Sequence, residues 1–160
     1  MISLTRIMAI DPGDRRIGVA ISDPSRTLSQ PLCVLEWGTR KVPSREAAVE
    51  EIGRLCSEHD VGIVVVGLPR NMNGTLGPRA EDALAWKQLL EASLSCIVDL
   101  EDERLTSKIA EGILIEGDVS RRRRRGKVDK MAAALILQSY LAKTSPRDDC
   151  GTRYDGGDNR

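Results

Sequence analysis

Three acids set far apart, Asp11, Glu103 and Asp129, carry the chemistry this sequence is best equipped for. Asp11 ends a short apolar run, Ile7 to Ile10, and a turn of Pro12, Gly13, Asp14, Arg15 and Arg16 joins it to a second run, Ile17 to Ile21. Two such runs predict an antiparallel hairpin, which would hold Asp11 on rigid backbone at the end of a buried strand. Gly13 is placed to take a positive φ in the turn, and Gly18 lets a ligand or another backbone come close. Glu103 follows the last strand expected in the chain, within the stretch Glu101-Asp102-Glu103, where Asp102 competes with it as a ligand. Asp129 lies one turn before Ala132 and Ala133, whose small side chains would let their helix lie close to a sheet. If the first and last strands are neighbours, these acids converge. An oxygen-rich set in a chain with one histidine, His59, suits Mg²⁺ or Mn²⁺. Phosphodiester hydrolysis is the chemistry that follows, one ion preparing a water and another stabilising the leaving oxygen.

A polyanionic substrate needs cations near those acids. Arg121 to Arg125 are five consecutive arginines, followed by Lys127 and Lys130. Arg122, Arg123, Arg124 and Lys127 are candidates for gripping phosphates rather than reading bases, since no aromatic stacking partner stands near them. The stretch Leu68 to Arg79 offers a second grip. Arg70 and Arg79 can make charge-assisted contacts to phosphate, and Asn71 and Asn73 can donate to phosphates or bases. Arg15, in the turn after Asp11, completes the set of nucleic-acid-binding candidates.

The elements that must position these residues follow from pattern. Leu28 to Glu36 reads as a third strand, interrupted by Pro31, which favours an irregular or edge position. Ser44 can cap a helix whose apolar residues Ala48, Val49, Ile52, Leu55 and Cys56 recur at helical spacing. Val61 to Val66 is a continuous β-branched run, expected of a central strand covered on both faces and parallel to the first. A loop from Gly67 to Gly77 leads to a helix from Pro78 to about Glu91, with proline at a tolerated first-turn position. Cys96 to Leu100 is the next strand. Thr106 caps a further helix ending at Gly117, and a final helix covers roughly Lys127 to Ala142. The order predicts an α/β fold: a mixed sheet of three leading antiparallel strands and then parallel ones, with helices on both faces. Ligands in such folds collect at the carboxyl ends of the strands.

Composition narrows the classes further. The chain has 160 residues, one domain's worth, with 41% hydrophobic and 30% charged residues and a formal net charge of zero. The domain is expected over 1–143, with 144–160 a polar, Gly-rich disordered tail. Cys33, Cys56, Cys96 and Cys150 show no C-x-x-C spacing, which argues against a disulfide framework, a zinc site and Cys-His or Ser-His machinery. No apolar run is long enough for a membrane span and no long h-region opens the chain, so a cytoplasmic protein without a membrane partner is expected. Nothing marks a dimer surface.

Four ordered stretches add a resemblance. Ile10 to Ala20 (IDPGDRRIGVA), Val66 to Ala80 (VGLPRNMNGTLGPRA), Asp102 to Thr106 (DERLT) and Val128 to Leu141 (VDKMAAALILQSYL) together resemble the YqgF family, also called RuvX or Holliday-junction-resolvase-like. The resemblance covers about residues 5 to 142. It implies an RNase H-like fold and a metal-dependent nuclease acting on pre-16S rRNA in 5′-end maturation during ribosome biogenesis. It also implies that Asp11, Glu103 and Asp129 are the catalytic acids. Glu101, the dense arginine run and the tail depart from the family pattern. The competing functions are resolution of branched DNA in recombination, and a non-catalytic nucleic-acid-binding role in transcription. The Asp-x-Gly start also resembles the phosphate-binding turn of the actin, Hsp70 and sugar-kinase superfamily, which needs two such domains.

Overall fold

The computed structural model describes residues 5–69, 77–102 and 121–144, with the backbone alone over 121–130. Within them the chain runs β1 (Arg6–Pro12), β2 (Arg16–Ser22), β3 (Ser29–Glu36), α1 (Arg45–His59), β4 (Val61–Leu68), α2 (Pro78–Ser93), β5 (Ile97–Asp102) and α3 (Arg121–Lys143). The strands form one sheet in the order β3-β2-β1-β4-β5. The first three are antiparallel neighbours, and β4 and β5 run parallel to β1. This is the mixed sheet the sequence leads one to expect.

The central strands are central because they are apolar on both sides. Along β1 from Ile7 and along β4 from Val64 every residue is buried, so neither has a face to give to water. One face packs Met8, Ile10, Val19, Val64 and Val66 against Ile52 of α1 and Trp86 and Leu90 of α2. The other packs Ile7, Ala9, Ala20 and Val65 against Ala133, Ile136 and Leu137 of α3. The alanines on both sides of that second contact shorten the distance between helix and sheet. β3 is the edge, and Pro31 sits where the β2–β3 register shifts, with Val19 opposite Cys33 and Ala20 opposite Pro31. A residue without an N–H is tolerated at such a bulge.

Local signals set the helix ends. The Ser44 side chain accepts a hydrogen bond from the Ala47 N–H at 3.1 Å, as its cap position predicts. α1 stops at Asp60, whose φ of 56° is left-handed, and its N–H bonds to the Cys56 carbonyl. α2 starts at Pro78, and α3 ends where the Thr144 N–H and hydroxyl both bond to the Tyr140 carbonyl.

Several expectations are corrected. β1 and β5 are not neighbours, because β4 lies between them. β4 extends through Gly67 and Leu68 and β5 through Glu101 and Asp102, so those acids belong to the strand and do not follow it. The arginine run lies inside α3 and does not precede it. Arginine is a good helix former, and solvent screens its repulsion. Gly13 has no positive φ; among the described glycines only Gly38 does, at 78°. A Cβ on Gly13 would instead meet the Arg16 carbonyl at 3.0 Å, and the Gly13 N–H bonds to that carbonyl at 2.7 Å. Gly13 is there for close approach. The helix expected after Thr106 and the tail from residue 145 lie outside the described residues.

Candidate active site

Asp11 sits at the carboxyl end of β1, buried, with Gly18 of β2 directly opposite it in the antiparallel ladder. On its other side the β1–β4 register pairs Ile10 with Val66, so the next level brings Gly67 beside Asp11. Side chains alternate along a strand, which gives Asp11 the same face as Ile7 and Ala9, the face under α3. Gly18 and Gly67 fall on that face too. The carboxylate therefore stands on a floor from which both neighbouring strands withhold their side chains. Sequence reading singled out Gly18 for such an approach but could not pair it with Gly67.

The same level continues to β5, where Gly67 pairs with Glu101 and Leu68 with Asp102. Glu101 is buried on the face under α3, accepting a hydrogen bond from the Ser139 hydroxyl at 2.7 Å and an ion pair from Lys143 at 2.9 Å. Asp99, two residues back, accepts from the Tyr140 hydroxyl at 2.8 Å. Burial first, and then this carboxylate, push the Tyr140 phenol up to about 12, so it remains a neutral donor. Glu101 and Asp99 are thus tied to α3. Asp102 alternates to the opposite face, shared with Leu100 and the α1–α2 packing. Glu103 lies outside the described residues. Asp129 is placed on the backbone of α3, and its side chain is outside the description. Among the described residues, no three acids, histidines or cysteines cluster closely enough to cage a metal ion.

Of the cationic candidates, the structure brings two together. Arg15, in the turn after Asp11, and Arg79, in the first turn of α2, line one cleft of about 640 Å³ with Arg16 and Trp37. Arg70, Asn71 and Asn73 lie outside the described residues. Arg122, Arg123, Arg124 and Lys127 are placed on α3 by backbone only.

The sequence reading missed the brace behind this cleft. The Trp37 indole N–H donates to the Gly13 carbonyl at 3.4 Å and its backbone N–H to the Arg15 carbonyl at 2.9 Å. Trp37 meets Trp86 edge to face at 5.6 Å, and the Arg45 guanidinium lies 5.3 Å and 5.0 Å from the two rings while pairing with Asp82. Only the rarity of tryptophan, two in the chain, could have drawn attention to the pair. The brace fixes the turn that follows Asp11 to both helices of the opposite face.

The chemistry of the donors fits a hard divalent cation: Asp11 supplies carboxylate oxygen at a buried strand end, with no histidine or cysteine described beside it.

Comparison with known proteins places the chain in a family. The family model described as "RuvX: Holliday junction resolvase" matches residues 5–143. A protein of Pelotomaculum thermopropionicum named "Putative pre-16S rRNA nuclease" is 51% identical over 153 residues, 95% of this chain and 97% of its own. One of Listeria monocytogenes with the same name is 44% identical over 140 residues, 88% and 99% of the two chains. Among solved structures, Thermus thermophilus RuvC bound to a Holliday junction substrate superposes with a TM-score of 0.50 at 14% identity, over 88% of this chain and 96% of RuvC. RuvC without the junction gives 0.51 at 13%. The sheet order and this likeness make the fold RNase H-like.

Proposed function

Because the chain belongs to the RuvX family, we propose that it is a divalent-metal-dependent nuclease that hydrolyses phosphodiester bonds in the 5′-end maturation of pre-16S rRNA. The observation that carries the proposal is Asp11 at the end of a buried central strand, flanked by Gly18 and Gly67 on its own face. Asp11, Glu103 and Asp129 would hold Mg²⁺ or Mn²⁺. The period of two that puts Asp102 on the far face favours its successor Glu103 as the β5-side ligand. Bound there, the metal would supply an activated water and charge stabilisation for the leaving oxygen.

The chain's own residues do the rest. Arg15 and Arg79 receive phosphates in the cleft at the turn that follows Asp11, and the Trp37–Arg45–Trp86 brace keeps the turn from shifting as substrate binds. Arg70, Asn71, Asn73 and the arginines of α3 extend the grip on the backbone. No helix among the described residues is long and apolar enough to cross a membrane, which is compatible with work on ribosomal precursors in the cytoplasm. The domain is taken as 1–143, close to the 5–143 span of the family match, with 144–160 dispensable.

The family description favours one second reading, a four-way DNA junction as substrate. The two are separated by incubating the purified protein with pre-16S rRNA and with such a junction, each with Mg²⁺ or Mn²⁺. Faster cleavage of the RNA is expected. Symmetric cutting of the junction with the RNA untouched would replace this reading by the resolvase.

A further inference from the structure

The cleft lined by Arg15 and Arg79 does not end at Trp37. It shares Arg16, Glu36 and Thr39 with a second, larger cavity of about 920 Å³ that reaches Arg40, Lys41 and the outer face of α1. The two adjoin along these three residues and run from the turn that follows Asp11, past the end of β3, to the helix.

The groove is built from two cationic turns fastened side by side. The turn at 37–42 is closed by Gly38 N–H to the Val42 carbonyl at 2.7 Å, Thr39 N–H to the same carbonyl at 3.0 Å, and Val42 N–H to the Thr39 hydroxyl at 3.0 Å. Gly38 takes its positive φ here, and a Cβ on it would strike Arg15 Nη1 at 2.5 Å. That close approach lets Arg15 donate to the Gly38 carbonyl at 3.2 Å, locking the Asp11 turn to the second one. Such a turn leaves Arg40 and Lys41 exposed at its tip.

Charge along the groove is unevenly compensated. Arg16 pairs with Glu36 at 3.4 Å, and Arg54 is held between Glu51 and Glu58. Arg15, Arg40, Lys41 and Arg79 form no ion pair among the described residues, and Asp14 is the one further acid of the lining, so cations remain in excess. Uncompensated cations spaced along a channel suit a polyanion lying in it.

We propose that this groove holds the single strand of nucleic acid flanking the bond to be cut, with Arg15, Arg40 and Lys41 tracking successive phosphates. The proposal rests on the nuclease reading for the choice of partner. It predicts that affinity depends on substrate length, because a strand too short to leave the Arg15–Arg79 cleft never meets Arg40 and Lys41.

The test uses the full chain carrying Asp11→Asn, which leaves substrate uncut, and single-stranded RNA of about six and about twenty nucleotides, below and above a usual single-strand footprint. Adding Arg40→Ala and Lys41→Ala should weaken binding of the longer RNA about tenfold and reduce its log–log salt slope by about 1.4. The short RNA should bind unchanged. Arg6→Gln, which removes a cation from the amino end of the central strand β1, should change neither. Both substituted groove residues are exposed, and an unchanged melting temperature checks that the fold is intact. Undiminished affinity and slope on the longer RNA, or equal losses on both lengths and with Arg6→Gln, would overturn the groove. If the unsubstituted chain cuts no nucleic acid with Mg²⁺ or Mn²⁺ but the length-dependent loss is seen, the nuclease reading falls and the groove stands.

Discussion

The two faces of the sheet are built from different materials. Under α1 and α2 the strands present Met8, Ile10, Val19, Val64 and Val66 to Ile52, Trp86 and Leu90, and the large side chains interlock without a buried acid among them. Under α3 the strands present Ile7 with the smaller Ala9, Ala20 and Val65, and beyond them carboxylates: Asp11, Asp99 and Glu101. Tyr140, Ser139 and Lys143 of α3 bind two of these acids, and the strand positions on either side of Asp11 are glycines. One face secures the fold. The other gives up apolar contact at the carboxyl edge and gains a place where charge can be used.

If the α3 face is the chemical one, its acids should be dispensable for folding and indispensable for cleavage. Glu103→Gln and Asp129→Asn should each lower the cleavage rate about a thousandfold, the scale of losing a main electrostatic stabiliser, with melting temperature unchanged. Asp102→Asn, on the other face, should cost far less. Filling the floor should act similarly. Gly18→Val puts a branched side chain opposite Asp11 in a strand that accommodates valine, and cleavage should drop about a hundredfold through misplacement alone. A melt beside the rate assay separates this from unfolding.

The α1–α2 face should answer in the opposite currency. Ile52 is fully buried, so Ile52→Ala should cost about 2–5 kcal/mol in denaturant unfolding, while the rate per folded molecule stays near that of the parent. Glu101 tests the border between the faces, since it shares the level of Asp11 yet is tied to α3. Glu101→Gln keeps a partner for Ser139 and loses the ion pair to the exposed Lys143, so unfolding should shift by no more than about 1 kcal/mol. A loss of cleavage comparable to that of Glu103→Gln would move Glu101 into the metal-binding set.

Much of this arrangement is written locally. The hairpin of β1 and β2, the Ser44 cap and the unbroken run Val61 to Val66 each declare themselves within a few residues, because periodicity and capping are short-range physics. Asp11 could be read as a strand-end acid for the same reason. Strand order was less legible: which strand lies beside β1 depends on how a crossover packs, and β4 rather than β5 takes that place. Gly67 therefore reads as the start of a loop, whereas it lies within β4 at the level of Asp11. Gly13 was read for backbone freedom and is used for room. The Trp37–Arg45–Trp86 brace joins three segments, and no window of sequence contains it. The arginine run looked like a lead into a helix because its charge outweighed its helix propensity in that reading.

The central claim is that Asp11 on its glycine floor serves hydrolysis and not folding. The direct measurement is the rate of pre-16S rRNA cleavage by the unsubstituted protein and by Asp11→Asn, in Mn²⁺ and after chelation, with a thermal melt of each. The account predicts metal-dependent cleavage by the former, a fall of at least about a thousandfold in the latter, and melting curves that agree. Full cleavage by Asp11→Asn, in a preparation shown free of contaminating nuclease, would contradict it.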